Sequence, residues 1–176
     1  MPKKKDSNCL QFLRELIRIS GYTYKEIADM SQGQVTQIPY YLNADSCKLS
    51  HALNICNTIG YRMTMEMVDE NGKYIVNENA RVRSGKRLDF LRNALARFGI
   101  AQKDVAEKMG LHANTLIYNF QVDDMSIPRI YEIAAALDLE LLINITPIEA
   151  CRQGDERRGC HVVTTITKTV DQHVDL

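Results

Sequence analysis

The sequence predicts a mainly α-helical protein with small β-hairpins, an α+β chain built from two tandem copies of one unit. Three observations predict it. Apolar residues recur at helical spacing through most of the chain, two stretches alternate at period two, and the whole pattern returns after 78 positions. Laying 10–68 on 88–146 without a gap matches Leu10 with Leu88, Phe12 with Phe90, Leu13 with Leu91, Arg14 with Arg92 and Gly21 with Gly99. Further along it matches Lys25 with Lys103, Ala28 with Ala106, Tyr40 with Tyr118, Asp45 with Asp123 and Ile55 with Ile133. Between these identities, Ile27/Val105, Ile38/Leu116, Leu49/Ile127, Ile59/Leu137, Met63/Leu141, Met65/Ile143 and Met67/Ile145 keep the apolar pattern in phase.

The elements follow in order, most plainly in the second copy. Leu88, Leu91, Leu95 and Phe98 mark one face of a first helix that stops at Gly99, a residue suited to the left-handed turn at a helix end. A second helix over 102–109 puts Val105, Ala106 and Met109 on one side and breaks at Gly110. A third begins near His112 with Thr115, Leu116 and Phe120 behind it. The fourth opens with Ser126 as N-cap and Pro128 in the first turn, where a missing N–H costs little, and its stripe is Ile127, Ile130, Ile133, Ala134 and Leu137. Residues 62–68 and 139–145 then read as strands. Asn71-Gly72 predicts a hairpin returning through 73–76, and 161–170 is the matching return strand of the second copy. The expected organisation is a basic arm over 1–9, a first unit over 10–78, a basic linker over 79–87, a second unit over 88–148 and a polar tail over 149–176.

Composition sets the functional classes. The chain has 22 Lys+Arg against 22 Asp+Glu, which excludes a uniformly basic nucleic-acid binder of the histone kind but not a local patch. Positive charge gathers in the connecting stretches, at Lys3, Lys4 and Lys5 and again at Arg81, Arg83, Lys86 and Arg87. No apolar run reaches the roughly 18 residues of a membrane span, and the amino-terminal segment is not a signal-peptide core, so a cytoplasmic protein with no membrane partner is expected. Cys9, Cys47, Cys56, Cys151 and Cys160 are odd in number and irregularly spaced, which favours reduced thiols over a disulfide framework. Cys151, Cys160 and His161 fit no structural zinc spacing, and Met63, Met65 and Met67 read as an apolar strand face. With no Gly-rich phosphate loop, HExxH or nucleophile elbow, neither an enzyme nor a cofactor is expected.

The stretch AQKDVAEKMGLHANTL, with a Gln opening a helix, a small residue at a helix crossing and a Gly at the turn, resembles the lambda-repressor-like helix-turn-helix regulators, the XRE family. SIPRIYEIAAALDLEL resembles that family's closing helix, and the likeness covers about 50 residues of each copy. It implies two tandem helix-turn-helix units binding double-stranded DNA as a transcriptional regulator, with recognition segments at 34–42 and 112–120 entering the major groove. Base contacts would then come from Gln34, Thr36, Gln37 and Tyr40 in the first unit and from His112, Asn114, Thr115, Tyr118 and Asn119 in the second. Gln102, with Tyr24 as its counterpart, stands where the family braces a phosphate or the first recognition residue. Phosphate contacts would fall to Lys25, Lys103, Lys108, Arg81, Arg83, Lys86, Arg87 and the amino-terminal lysines.

The chain also departs from the family. Neither recognition segment holds a Lys or Arg, the Glu-x-Gly that commonly closes this helix is missing, and Pro39 falls within the first segment, where only the first turn of a helix tolerates it. The neutral charge and uncharged segments support the alternative of a protein-interaction module, an antitoxin or adaptor, on the same fold. Two arrangements of the copies are open. A single chain imitates a symmetric dimer, or the first copy pairs two chains through their β-hairpins as a homodimer.

Overall fold

The computed structural model describes residues 8–43, 47–75, 85–148 and, as backbone, 163–167. A 3-10 turn at Asn8–Leu10 leads into α1 (Gln11–Ser20), α2 (Tyr24–Met30), α3 (Gln37–Asn43), α4 (Leu49–Thr58) and β1 (Tyr61–Val68). The second half runs through α5 (Asp89–Phe98), α6 (Gln102–Lys108), α7 (Ala113–Gln121), α8 (Ile127–Ala136) and β2 (Glu140–Pro147), and β3 (Val163–Thr167) closes the described chain. The protein is mainly helical with one small antiparallel sheet, an α+β arrangement. Helices α5, α6 and α8 start and stop 78 positions after α1, α2 and α4. The basic arm before residue 8, Asp45, Arg81, Arg83 and the tail that holds Cys151, Cys160 and His161 lie outside the described residues.

Local chemistry recurs with the same period. Gly21 (φ 74°) and Gly99 (φ 63°) end α1 and α5 in the left-handed region, which glycine enters without a Cβ penalty. The bond from Gly33 N–H to the Ala28 carbonyl (2.9 Å) has its twin from Leu111 N–H to Ala106 (2.8 Å), so both inter-helix turns close alike. Ala28 and Ala106 are wholly buried there, as expected of small residues at a helix crossing. The left-handed residue of the second turn is Gly110 (φ 65°), and its counterpart is Gln32 (φ 55°), not the neighbouring Gly33.

One expectation needs correction. Phe98 does not join the apolar face of α5: it is 47% exposed in the last turn, and Ile100, brought back by the Gly99 turn, packs against the core in its place. The hairpin expected after β1 begins within the described residues. The Asn71-Gly72 turn is present, with the Asp69 carboxylate accepting from the N–H groups of Asn71 and Lys73 at 2.9 Å each. Asp69 N–H donates to the Lys73 carbonyl (3.0 Å), Val68 bridges Tyr74, and Ile75 N–H donates to the Met67 carbonyl (2.8 Å); the residues from 76 to 84 lie outside the described ones.

On its other edge β1 pairs antiparallel with β2 of the other half, a pairing the sequence did not predict, setting Met63, Met65 and Met67 opposite Ile145, Ile143 and Leu141. The two partners take opposite edges of β1, since Val68 faces Glu140 on one side and Tyr74 on the other. β2 offers three buried side chains at period two, on the same face as the three methionines. Pairing the halves merges both stripes into one core that contains residues of every α-helix. α4 and α5 cover β1, α8 covers β2, and the Asn8–Leu10 turn packs on α8 from across the seam. On the far side of β2, β3 pairs antiparallel from Leu141↔Thr167 to Ile145↔Val163, where the return strand was expected.

The pairing is reciprocal. At the strand centre Met65 faces Ile143, its own counterpart in the repeat. At the other end of the seam Lys48 bridges Ser126, again its counterpart, with Leu49 N–H donating to the Met125 carbonyl and Ile127 N–H to the Cys47 carbonyl, both at 2.8 Å. Two halves joined by such exchanged bonds are related by an approximate two-fold axis, as in an isologous dimer interface.

Candidate nucleic-acid interface

The second half presents a polar helix over a buried base. Leu116 and Phe120 anchor α7 in the core, and Asn114, Thr115 and Tyr118 on the other side are exposed, with Asn119 half-buried. His112 is exposed and is the N-cap of α7, its Nδ1 accepting from Asn114 N–H at 3.3 Å. Gln102 is half-buried as the first residue of α6, and Lys103 beside it is exposed.

In the first half the helix is shorter. α3 starts at Gln37, so Gln34 and Thr36 sit in the turn ahead of it, where the Gln34 carbonyl accepts from Gln37 N–H at 3.0 Å. Pro39 is the third residue of α3 and so falls in the first turn, which tolerates it because no intrahelical acceptor waits for its missing N–H. Ile38 and Leu42 are buried, while Gln37 and Tyr40 face solvent. Tyr40 and Tyr118 are 63% and 61% exposed, the most exposed large apolar side chains among the described residues. Lys25 on α2 is exposed, and Thr23 and Glu26 form a reciprocal capping box at that helix start.

The basic residues divide by role. Lys86 and Arg87 are exposed before α5, and Arg87 is held by bonds from its N–H to Asp123 Oδ2 (2.7 Å) and from Nη1 to the Asp123 carbonyl (3.3 Å). Lys108 turns inward to its own protein, donating from Nζ to the Ala136 carbonyl and so tying α6 to the end of α8. That contact offers a structural reason for Lys108 where a phosphate contact was expected.

Sequence reasoning passed over Arg14 and Arg92. Arg92 donates from Nη1 to Asp123 Oδ1 (2.8 Å) and Asp89 Oδ1 (3.2 Å), and from Nη2 to the Phe120 carbonyl (2.7 Å), with its guanidinium 5.6 Å above the Phe120 ring. Arg14 donates likewise to the Leu42 carbonyl, the counterpart of Phe120. Both arginines fasten the end of the polar helix, and their identity across the repeat was the available signal. Burial pushes the Asp123 carboxyl up, but the Arg87 N–H, the Arg92 guanidinium and the Leu88 N–H outweigh it and hold the group below the usual carboxylate range.

Asp123 and Asp124 lie in the loop after α7, and Asp104 lies in the first turn of α6. Asp124 caps α4 from the other half, accepting from Ser50 N–H (3.1 Å) and Ser50 Oγ (2.7 Å). The symmetric position needs no such cap, because Pro128 stands where Ser50 would be and has no N–H to satisfy.

A groove of about 500 Å³ runs from Thr115 and Tyr118 on α7 to Lys48 and Ser126 at the seam, with Arg87 and Arg129 on its walls. Arg129 also pairs with Glu132 at 2.8 Å. In the first half, Tyr41 and His51 stand where the groove has Asn119 and Arg129, and there the rings stack at 4.1 Å. Burial pushes the His51 imidazole down, and its Nδ1 is buried without a hydrogen-bond partner.

Among the described residues no group of three His, Cys, Asp or Glu is arranged to hold a metal ion, and no helix is long and apolar enough to cross a membrane. Cys9, Cys47 and Cys56 are buried, and burial is the main cause pushing the thiols of Cys47 and Cys56 up to about 12. No protein-family model, curated protein or solved structure matches the chain.

Proposed function

We propose that the chain is a sequence-specific double-stranded DNA-binding regulator of transcription acting in the cytoplasm, each half a helix-turn-helix unit. The observation that carries this reading is the duplicated pair of helices, α2–α3 and α6–α7. Each meets at a buried alanine and turns through a left-handed residue, and its second helix turns an amide-, hydroxyl- and phenol-bearing face to solvent. Asn and Gln match the N6 and N7 edge of adenine, and Thr offers a hydroxyl to a base and a methyl to thymine. Asn114 and Thr115, in the first turn of α7, supply base contacts, Tyr118 supplies a flat face, and Lys103 and Lys25 on the preceding helices take phosphates.

Selection of random duplexes by the purified protein at two salt concentrations tests this. An enriched motif supports the regulator, and Asn114→Ala should then cost about 1–3 kcal/mol of binding and relax preference at one base pair. Weak, salt-erased binding with no enriched motif would favour the protein-interaction module instead, a reading supported by the absence of Lys and Arg from α3 and α7 and by the balanced charge.

A further inference from the structure

Two copies of a DNA-reading unit strung along a chain could meet the duplex in either of two ways. A translation from one copy to the next puts both in the same direction and calls for a direct repeat. A two-fold rotation puts them head to head and calls for an inverted one. The exchanged bonds at the seam decide between these geometries, because Leu49 to Met125 and Ile127 to Cys47 can both form only when each half meets the other with the same surface. The strand register, centred on Met65 and Ile143, states the same rotation independently.

The second link is which end of that axis the exposed helices flank. The groove joins Thr115 and Tyr118 of α7 to Lys48 and Ser126, and in the first half the stack of Tyr41 on His51 holds α3 against the start of α4. Both polar helices therefore border the Lys48–Ser126 end of the axis, with the sheet seam at the other.

The third link is that the two reading surfaces differ. Position for position, Gln34 stands against His112, Thr36 against Asn114 and Gln37 against Thr115, and only Tyr40 and Tyr118 are the same. The centre is also unequal, with Lys48 facing Ser126, and Arg129 standing where the first half has His51.

We infer that one chain, acting alone, reads an inverted pair of unlike half-sites on one duplex, with Lys48 and Ser126 over the site's centre and Lys48, Arg87 and Arg129 contacting the phosphates there. This rests on the DNA-binding reading above. The target is a site whose protein contacts have two-fold symmetry and whose base sequence does not.

The test uses the full chain and the motif enriched by selection, rebuilt as duplexes with the two half-sites inverted, in direct order, or with one half replaced by random sequence. Fluorescence anisotropy gives the affinities and sedimentation the stoichiometry. The expected result is one chain per inverted duplex, with direct order at least tenfold weaker and close to the single half-site. Lys48→Ala should weaken binding to the inverted duplex severalfold and lower the slope of log affinity against log salt by about one, without changing base preference. Equal affinity for direct and inverted order, or two chains on one inverted duplex, overturns the inference while leaving the DNA-binding reading standing. A motif with a single half-site does the same, and failure to bind any duplex removes both.

Discussion

Arg92 joins Asp89, Asp123 and Phe120 at a place where α5, the end of α7 and the loop after it converge, and it is only about a quarter exposed. Arg92→Ala should cost about 2–3 kcal/mol of stability, since a charge-assisted network is lost and a half-buried carboxylate loses its cation. The loss has a pH signature. The folded Asp123 carboxyl titrates below its unfolded value, so its contribution is present above about pH 4 and disappears as pH falls through the folded pKa. Urea unfolding at pH 7 and pH 3 should therefore show a wide gap between the natural chain and the variant at the higher pH and a narrower one at the lower. An equal gap at both would place the effect in packing alone. Gln32 is the opposite case, a side chain held at φ 55° where its counterpart is glycine. Gln32→Gly should stabilise by about 0.5–1 kcal/mol, the relief of left-handed strain exceeding the added freedom of the unfolded chain, and thermal unfolding would register it.

Among the elements, the helices were legible before the structure because their signals are local: a stripe at 3.6-residue period, Gly99 after α5 and Gly110 after α6, Ser126 ahead of Pro128. The crossing of α6 and α7 was legible for the same reason, and Ala106, wholly buried there, carries a direct prediction. Ala106→Leu forces methylenes between two packed helices and should cost about 1–3 kcal/mol, with loss of any DNA binding at the temperature where the variant begins to melt. Circular dichroism followed against temperature checks it. What local pattern could not show is the partner of a strand. The residues of β1 specify which face is apolar, not which neighbours supply the hydrogen bonds; Asn71-Gly72 pointed to the segment on one edge, and nothing local pointed to β2 of the other half on the other edge. The polar helices were legible in part. Their exposed residues could be read from spacing, but the groove beside α7 arises because Asn119 and Arg129 stand where Tyr41 and His51 stack, a difference that appears only when two distant stretches are superposed.

At the scale of the molecule, the seam joins the halves through one shared core, which predicts that they unfold together. Ile143 is fully buried at the strand centre and faces Met65. Ile143→Ala should cost about 2–5 kcal/mol, and calorimetry should show a single transition moving down as a whole, with no surviving first half. Two separated transitions would mean that each half folds by itself. The repeat, visible in the sequence, announced two units; their rotation about a common axis did not follow from it, because translation and two-fold rotation leave the same trace in a linear text.

A regulator assembled from two separate chains must first find its twin, so at low abundance the amount of active species rises with the square of the amount synthesised. If this chain is the regulator proposed above, its twin is covalently supplied, and the partner surface is present at an effective concentration set by the connector and not by the cell. Occupancy of a target should accordingly follow the first power of protein abundance, with a graded and not a thresholded dose response. A twofold fall in protein concentration should halve occupancy of a sparsely occupied target, where a dilute two-chain regulator would lose three-quarters of its pairs.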